Sequence, residues 1–285
     1  MTQKAVTAEM IKDLRDRTGV GMSKCREALE ESKGDIELAI SNLRKSGMAT
    51  AVKKEGRAAN EGMIAMAESP RSIAIVEVNA ETDFVARNER FQDFLRNIAE
   101  EVVKTQPASL EAFKVQKFSK EPALTIEEFR AALVQAIGEN IQIRRLKLYE
   151  KSPNVSIGVY SHLGGKLMTV VVIEGSDKEE AFAKDLAMHV AAASPEYLSE
   201  KEVPASVLEN EKEIARLQIK DKPENIIAKI VEGKMNSFYD ANCLLRQKHI
   251  RNEKLSVADL VAERSKQVGK PLVVKGFLRW MVGQG

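Results

Sequence analysis

The sequence predicts an α+β protein: a small three-helix N-terminal module, a core of two related α+β subdomains with antiparallel sheets, and an inserted antiparallel helical hairpin. Three observations carry this reading. The first fifty residues show short apolar stripes at helical spacing between capping residues and glycines. A β-hairpin, a helix and a late strand then occur in that order twice, as α+β rather than βαβ architecture requires. Within the second set lies a helical stretch, poor in apolar residues and interrupted at a proline. At 285 residues the chain exceeds one typical domain, and 44% hydrophobic against 30% charged residues gives it a real core and a polar surface. The expected divisions are 1–54, 55–150, 151–203 with 246–285, and 204–245 for the hairpin.

In the module, Thr7 is expected to cap a helix carrying Met10, Ile11 and Leu14, which Gly19 and Gly21 break. Ser23 caps the next, with Cys25, Ala28 and Leu29 on one side, and Gly34 ends it. Asp35 caps a third, whose stripe Ile36, Ala39, Ile40 and Leu43 closes at Gly47. So small a bundle has a thin core and suits docking better than catalysis. Residues 48–60, with Lys53, Lys54 and Arg57, read as a partly helical basic linker.

Gly62 to Glu68 and Ile73 to Val78 form a hairpin around Ser69-Pro70. A helix from Asn88 carries Phe91, Phe94, Leu95, Ile98 and Val102. Thr125 and Glu128 make a capping box for the next helix, with Phe129, Ala132, Leu133, Ala136 and Ile137 as its stripe and Gly138 as its stop. Ile141 to Tyr149 is a strand whose alternation slips at Arg144 and Arg145, the mark of a bulge or twist. Val155 to Tyr160 and Lys166 to Ile173 pair around Gly164-Gly165. Asp177 and Glu180 cap a helix with Phe182, Leu186, Val190 and Ala193, and Leu272 to Val282 is the late strand. In the insertion, Val207, Ile214 and Leu217 precede the break at Asp221-Lys222-Pro223, and Ile227, Ile230, Val231, Met235 and Phe238 follow it, as a two-stranded coil. No residue-level repeat proves a duplication.

Charge and chemistry exclude several functions. The 44 basic and 42 acidic residues leave a net charge of +2, unlike a nucleic-acid coat protein or a polybasic membrane binder. Cys25 and Cys243 form no Cys-x-x-Cys pair, residues 1–12 have no apolar signal region, and no apolar run spans a membrane. The expectation is a soluble cytoplasmic protein in a reducing compartment. No catalytic or metal-binding constellation is visible around His162, His189 and His249, and no phosphate loop. His189 reads as a satisfied core histidine, and His162 as an exposed turn residue or a contact.

The segment Glu81-Thr82-Asp83-Phe84-Val85 joins a strand to a helix. Either Phe84 or Val85 staples the start of that helix, or an aromatic beside a carboxylate is held out for a partner's pocket; the residues alone favour the staple narrowly. Gly138 is a helix stop that also exposes Ile137.

Several strings together resemble the elongation factor Ts family: Thr18-Gly19-Val20-Gly21-Met22 with Cys25 and Ala28-Leu29, Gly34-Asp35-Ile36-Glu37, Glu81-Thr82-Asp83-Phe84-Val85, Ile137-Gly138-Glu139-Asn140-Ile141, Ala187-Met188-His189-Val190-Ala191-Ala192, and Lys222-Pro223-Glu224 through Val231-Glu232-Gly233-Lys234-Met235. They cover nearly the whole chain in order. The resemblance implies a ubiquitin-associated-like (UBA-like) N-terminal module, a two-part core, a coiled coil, and guanine-nucleotide exchange on elongation factor Tu without covalent chemistry or a cofactor. It implies that Thr82, Asp83, Phe84 and Val85 enter the GTPase near its Mg²⁺ and help dislodge the ion. Met22, Arg26, Lys54, Ile137 and Gly138 match contact positions for the GTPase domain, and His162 one for another domain of that partner.

The chain departs from the family at Gln247-Lys248-His249-Ile250, where many members have Gln-Pro-Phe-Val; Ile250 keeps the apolar contact side chain. Ser23 stands where some members have a second methionine, and the chain ends at Gly285 without the further helix some members carry. Direct nucleic-acid binding through the basic linker is a competing reading that the charge balance and the lack of aromatic–basic stacking disfavour. A nucleotide-using enzyme lacks its phosphate loop, and self-association through the hairpin is compatible with the exchange reading.

Overall fold

A computed structural model describes residues 5–219 and 223–284. The chain divides into two units: Met1–Glu150 with Gly164–Lys166 and Met281–Gly285, and Lys151–Leu163 with Leu167–Trp280.

The first unit begins with α1 (Ala8–Thr18), α2 (Met22–Glu31) and α3 (Ile36–Lys54). Thr7 caps α1 by accepting the Met10 N–H, Gly19 ends it at φ 71°, and Asp35 caps α3. Leu14, Cys25, Leu29, Ile40 and Leu43 make the small core. Two expectations fail here. Ser23 is not the cap of α2: burial of Val20 turns the chain early, so Gly21 caps it and Ser23 lies within the helix. Gly47 does not close α3, which continues to Lys54. That glycine is a contact, because a Cβ there would stand 3.0 Å from Gln135 Oε1 and 3.5 Å from the Ala131 carbonyl.

Next come β1 (Glu61–Glu68), β2 (Ser72–Ala80), α4 (Asp83–Ala86), α5 (Glu89–Thr105), α6 (Leu110–Val115), β3 (Lys117–Phe118), β4 (Glu121–Thr125), α7 (Ile126–Ile137) and β5 (Ile141–Glu150). The sheet order is β1-β2-β5, all antiparallel, with every residue of β2 buried. Glu77 pairs with Arg145 but Val78 with Ile143, so Arg144 is the extra residue of a β-bulge, where the alternation slips. Glu77, wholly buried, is neutralised by Arg145 at 2.7 Å and also accepts the Gly283 N–H. The α5 stripe is buried as expected. The α7 stripe is rotated: Ala131, Val134 and Gln135 are buried with Leu133, while Phe129, Ala132, Ala136 and Ile137 are half-buried. The helix packs on both α3 and α5, so its buried arc is not the one a single neighbour would select.

The second unit holds β6 (Val155–His162), β7 (Leu167–Glu174), α8 (Glu180–Ala193), α9 (Ala205–Leu217), α10 (Glu224–Asn242), β8 (Lys248–His249), β9 (Asn252–Ser256), α11 (Val257–Val268) and β10 (Val273–Met281). Its sheet order is β10-β7-β6. Asp177 does not cap α8. Glu179 occupies that position, buried and ion-paired with Arg264 of α11 at 2.6 Å, and this pair sets where the helix starts. Helices α9 and α10 pack together through Ala215, Val231 and Met235, with Leu208, Ile227, Phe238 and Tyr239 around them. Asp221 and Lys222 of the expected break lie outside the described residues; Pro223 caps α10 rather than opening it.

The two units repeat one plan: hairpin, helix, a small bulged hairpin, a boxed helix and a final strand at the sheet edge, beside the second strand of the hairpin. Superposing the plans aligns Gln116-Lys117-Phe118 with Gln247-Lys248-His249, and Leu124-Thr125-Ile126 with Leu255-Ser256-Val257. The Ile126 N–H reaches the Gln116 carbonyl at 3.0 Å and the Val257 N–H reaches that of Gln247 at 3.0 Å. Capping boxes Thr125/Glu128 and Ser256/Asp259 open α7 and α11. The doubled order of hairpin, helix and late strand is legible in the sequence, whereas the small hairpin and boxed helix between Leu245 and Leu272 are not.

Candidate functional site

The turn after β2 presents the most exposed aromatic among the described residues. Phe84 is 81% exposed, whereas Val85, the next residue, is 9% exposed and joins the core. Val85 is therefore the staple and Phe84 the side chain held outward. A four-residue helix cannot sustain itself, so α4 is held from outside. The Thr82 side chain accepts the Val85 N–H at 3.4 Å. Glu139 accepts both the Thr82 N–H, at 3.0 Å, and the Thr82 hydroxyl, at 2.8 Å. In return, Glu81 accepts the Asn140 N–H at 2.6 Å and lies 3.5 Å from the Arg57 guanidinium.

Further bonds draw in the end of α3. The Lys54 ammonium donates to the Gly138 carbonyl. The Asn140 amide donates to the carbonyls of Arg57 (2.8 Å) and Glu55 (3.3 Å), and Gln142 donates to that of Glu55 at 3.0 Å. Lys54, the segment 82–85 and the pair Ile137-Gly138 thus belong to one bonded platform. Asp83 faces Arg87 at 3.1 Å on its rim. Sequence reading missed Glu139, Asn140 and Val52, a 66% exposed apolar residue just before Lys54; carboxylates between glycine and asparagine carry no signal of their own.

Met22, 47% exposed, and Arg26, also exposed, lie one turn apart on α2. In the second unit, His162 and Ile250 line one cavity of about 270 Å³ with Tyr160, Met188, Ala192 and Arg251. The Tyr160 hydroxyl is 3.0 Å from His162 Nδ1, and the two rings stack at 5.7 Å. Sequence reading placed His162 and Ile250 in separate segments, and the fold brings them together. Among the described residues there is no group of His, Cys, Asp and Glu able to hold a metal ion, and no helix long and apolar enough to cross a membrane.

A family model described as elongation factor TS matches residues 81–284. The chain is 62% identical over 280 residues to elongation factor Ts of Protochlamydia amoebophila, covering 98% of this chain and 99% of that one. It is 43% identical over 275 residues to the elongation factor Ts of Chlamydia muridarum and to that of Chlamydia caviae, with 96% of this chain and 98% of theirs covered in each case.

The chain belongs to the elongation factor Ts family. It is a translation elongation factor of the Ts type, and one of its departures from the family pattern, His249, has a structural account. His249, in the altered Gln247-Lys248-His249-Ile250 segment, is buried; its ring stacks on His189 at 5.3 Å and its Nε2 is 3.1 Å from Asp185. The flat His249 ring thus fills a buried position in this chain. Ile250 remains at the surface, 43% exposed. Cys25 is only packed: its thiol donates to the Val20 carbonyl at 3.3 Å, and burial pushes its pKa up.

His189 underpins Ile250. It is wholly buried; its Nε2 bonds Gln247 Oε1 at 3.0 Å, and its Nδ1 accepts the Ile250 N–H at 3.3 Å. A neutral ring satisfies both, whereas a proton on Nδ1 would face another donor. Burial lowers the His189 pKa below its ordinary 6.5, with the Gln247 bond opposing. Between the folded pKa and 6.5 the unfolded chain therefore binds more protons, so stability holds above 6.5 and declines as pH falls through that window. The urea midpoint should drop between pH 7.5 and 5.5, and less so in His189→Gln; equal slopes in both proteins would refute this origin.

Proposed function

We propose that this chain is a guanine-nucleotide exchange factor for elongation factor Tu. Its principal supporting observation is Phe84, 81% exposed on a turn that is bonded to its surroundings on both sides. In this reading Thr82, Asp83, Phe84 and Val85 form the segment that displaces helices beside the GTPase's nucleotide site and dislodges its Mg²⁺. Loss of the ion leaves the nucleotide phosphates unneutralised and weakens their binding. Lys54, Ile137 and Gly138 contact the same domain from the platform, as do Met22 and Arg26 from the N-terminal module. His162 and Ile250 take a second domain of the partner.

The module at 1–54 is UBA-like, and 204–245 is an antiparallel coiled-coil hairpin. Residues 55–150 form one core subdomain, and 151–203 with 246–285 form the other. The protein acts in the cytoplasm by protein–protein binding without covalent chemistry or a cofactor. It needs no direct nucleic-acid contact, and any self-association runs through the hairpin. Coupling is reciprocal: a factor that weakens nucleotide binding must itself bind the nucleotide-free GTPase more tightly.

The decisive experiment is release of a fluorescent GDP analogue from elongation factor Tu on adding this protein. The expected result is acceleration that saturates with protein concentration and shrinks as free GDP is raised. No acceleration at any concentration would defeat the proposal.

A further inference from the structure

The geometry points to Glu139 as a positioning residue that fixes the direction in which Phe84 is presented. This inference rests on the exchange-factor reading. Glu139 is in the 137–140 turn and Phe84 in the 82–85 turn, and the only side-chain oxygens of Glu139 are both spent on one residue, Thr82.

The chemistry at Thr82 explains why this matters. A threonine hydroxyl has one hydrogen and can accept at its remaining lone pairs. With its hydrogen committed to Glu139 Oε1 at 2.8 Å, the oxygen turns a lone pair to the Val85 N–H at 3.4 Å. The carboxylate thereby orients the cap of α4 as well as tethering it. Its second oxygen holds the Thr82 backbone N–H at 3.0 Å, so the first residue of the turn is fixed at main chain and side chain together. Both bonds involve a carboxylate and are about twice as strong as neutral ones. The crossed bond from the Asn140 N–H to Glu81 at 2.6 Å prevents the two turns from sliding past each other. Phe84 itself has little packing, so its direction is inherited from this clamp and from burial of Val85 and Ala86.

The test separates positioning from folding and from the exchange reading. In Glu139→Ala the saturating rate of GDP-analogue release should fall about ten- to a hundredfold, a misplacement of about 1 Å costing up to about a hundredfold, while the concentration for half-maximal effect changes much less. Glu139→Gln keeps one acceptor oxygen and should fall between the two. A nitroxide on Phe84→Cys, with Cys25 and Cys243 both buried, should become more mobile when Glu139→Ala is added, at a temperature where circular dichroism shows both proteins fully folded. An unchanged label spectrum overturns the clamp, and so does a Glu139→Ala protein that releases nucleotide at the unaltered rate. If the label responds but even the unaltered chain releases no nucleotide, the exchange reading is what fails.

Discussion

Replacing Phe84 by alanine is expected to lower the saturating rate of GDP release by about ten- to a hundredfold, since a buried aromatic anchor in an interface contributes about 2 kcal/mol or more and each 1.4 kcal/mol is tenfold. The fold should be indifferent. At 81% exposure the ring has little to lose on truncation, and surface substitutions usually stay within about 0.5 kcal/mol. Phe94, 1% exposed in the same unit, is the contrast: its truncation to alanine should cost about 3–5 kcal/mol. Parallel urea melts and stopped-flow release would distinguish them. If Phe84→Ala destabilises the protein as Phe94→Ala does, or releases nucleotide at the unaltered rate, Phe84 is not the wedge.

Gly158→Ala should markedly destabilise the second unit. Gly158 lies in β6 where α8 crosses it, and an added Cβ would stand 2.1 Å from both the Ala183 carbonyl carbon and the Lys184 nitrogen. Those are main-chain atoms of a helix, so no side-chain rotation relieves the clash; α8 must move off the strand. Overpacking of this kind costs about 1–3 kcal/mol and occasionally more. The upper end is expected because Ala183, Leu186, Ala187 and Val190 all bury on the β6-β7 side of that helix. A loss under about 1 kcal/mol in equilibrium urea unfolding would mean that the helix yields easily, against the usual rigidity of packed interiors.

Much of this was legible in the sequence because the responsible interactions are local. The caps at Thr7, Asp35, Asn88 and Thr125 are satisfied within a few residues of themselves. What failed depended on distant partners. Gly47 reads as a stop until α7 lies against it, and Asp177 reads as a cap until Arg264 claims Glu179. Helix α11 carries its own box at Ser256 and Asp259, but with only Val257 and Val261 buried its apolar stripe is too sparse to stand out. At the site, the strings around Phe84 and Ile137 identified the family. The bonds that join them reach from Glu139 back to Thr82 and from Asn140 back to Glu81, across a whole helical layer of sequence. No periodicity encodes such a pairing.

The unbroken α3 works like a shaft with a collar at each end. Ala39, Ile40 and Leu43 grip the small helical core, while Gly47 packs against α7 and Ala51 enters the larger core. Only Arg44, Lys45 and Ser46 lie between the two grips. One residue inserted there would turn the upper collar by about 100° and lift it by about 1.5 Å. Every helical hydrogen bond would re-form, yet Met22 and Arg26 would point elsewhere. Residue count in this short span is therefore under tighter constraint than residue type, since a turned module would also lose the bond from Arg90 to the Gly19 carbonyl.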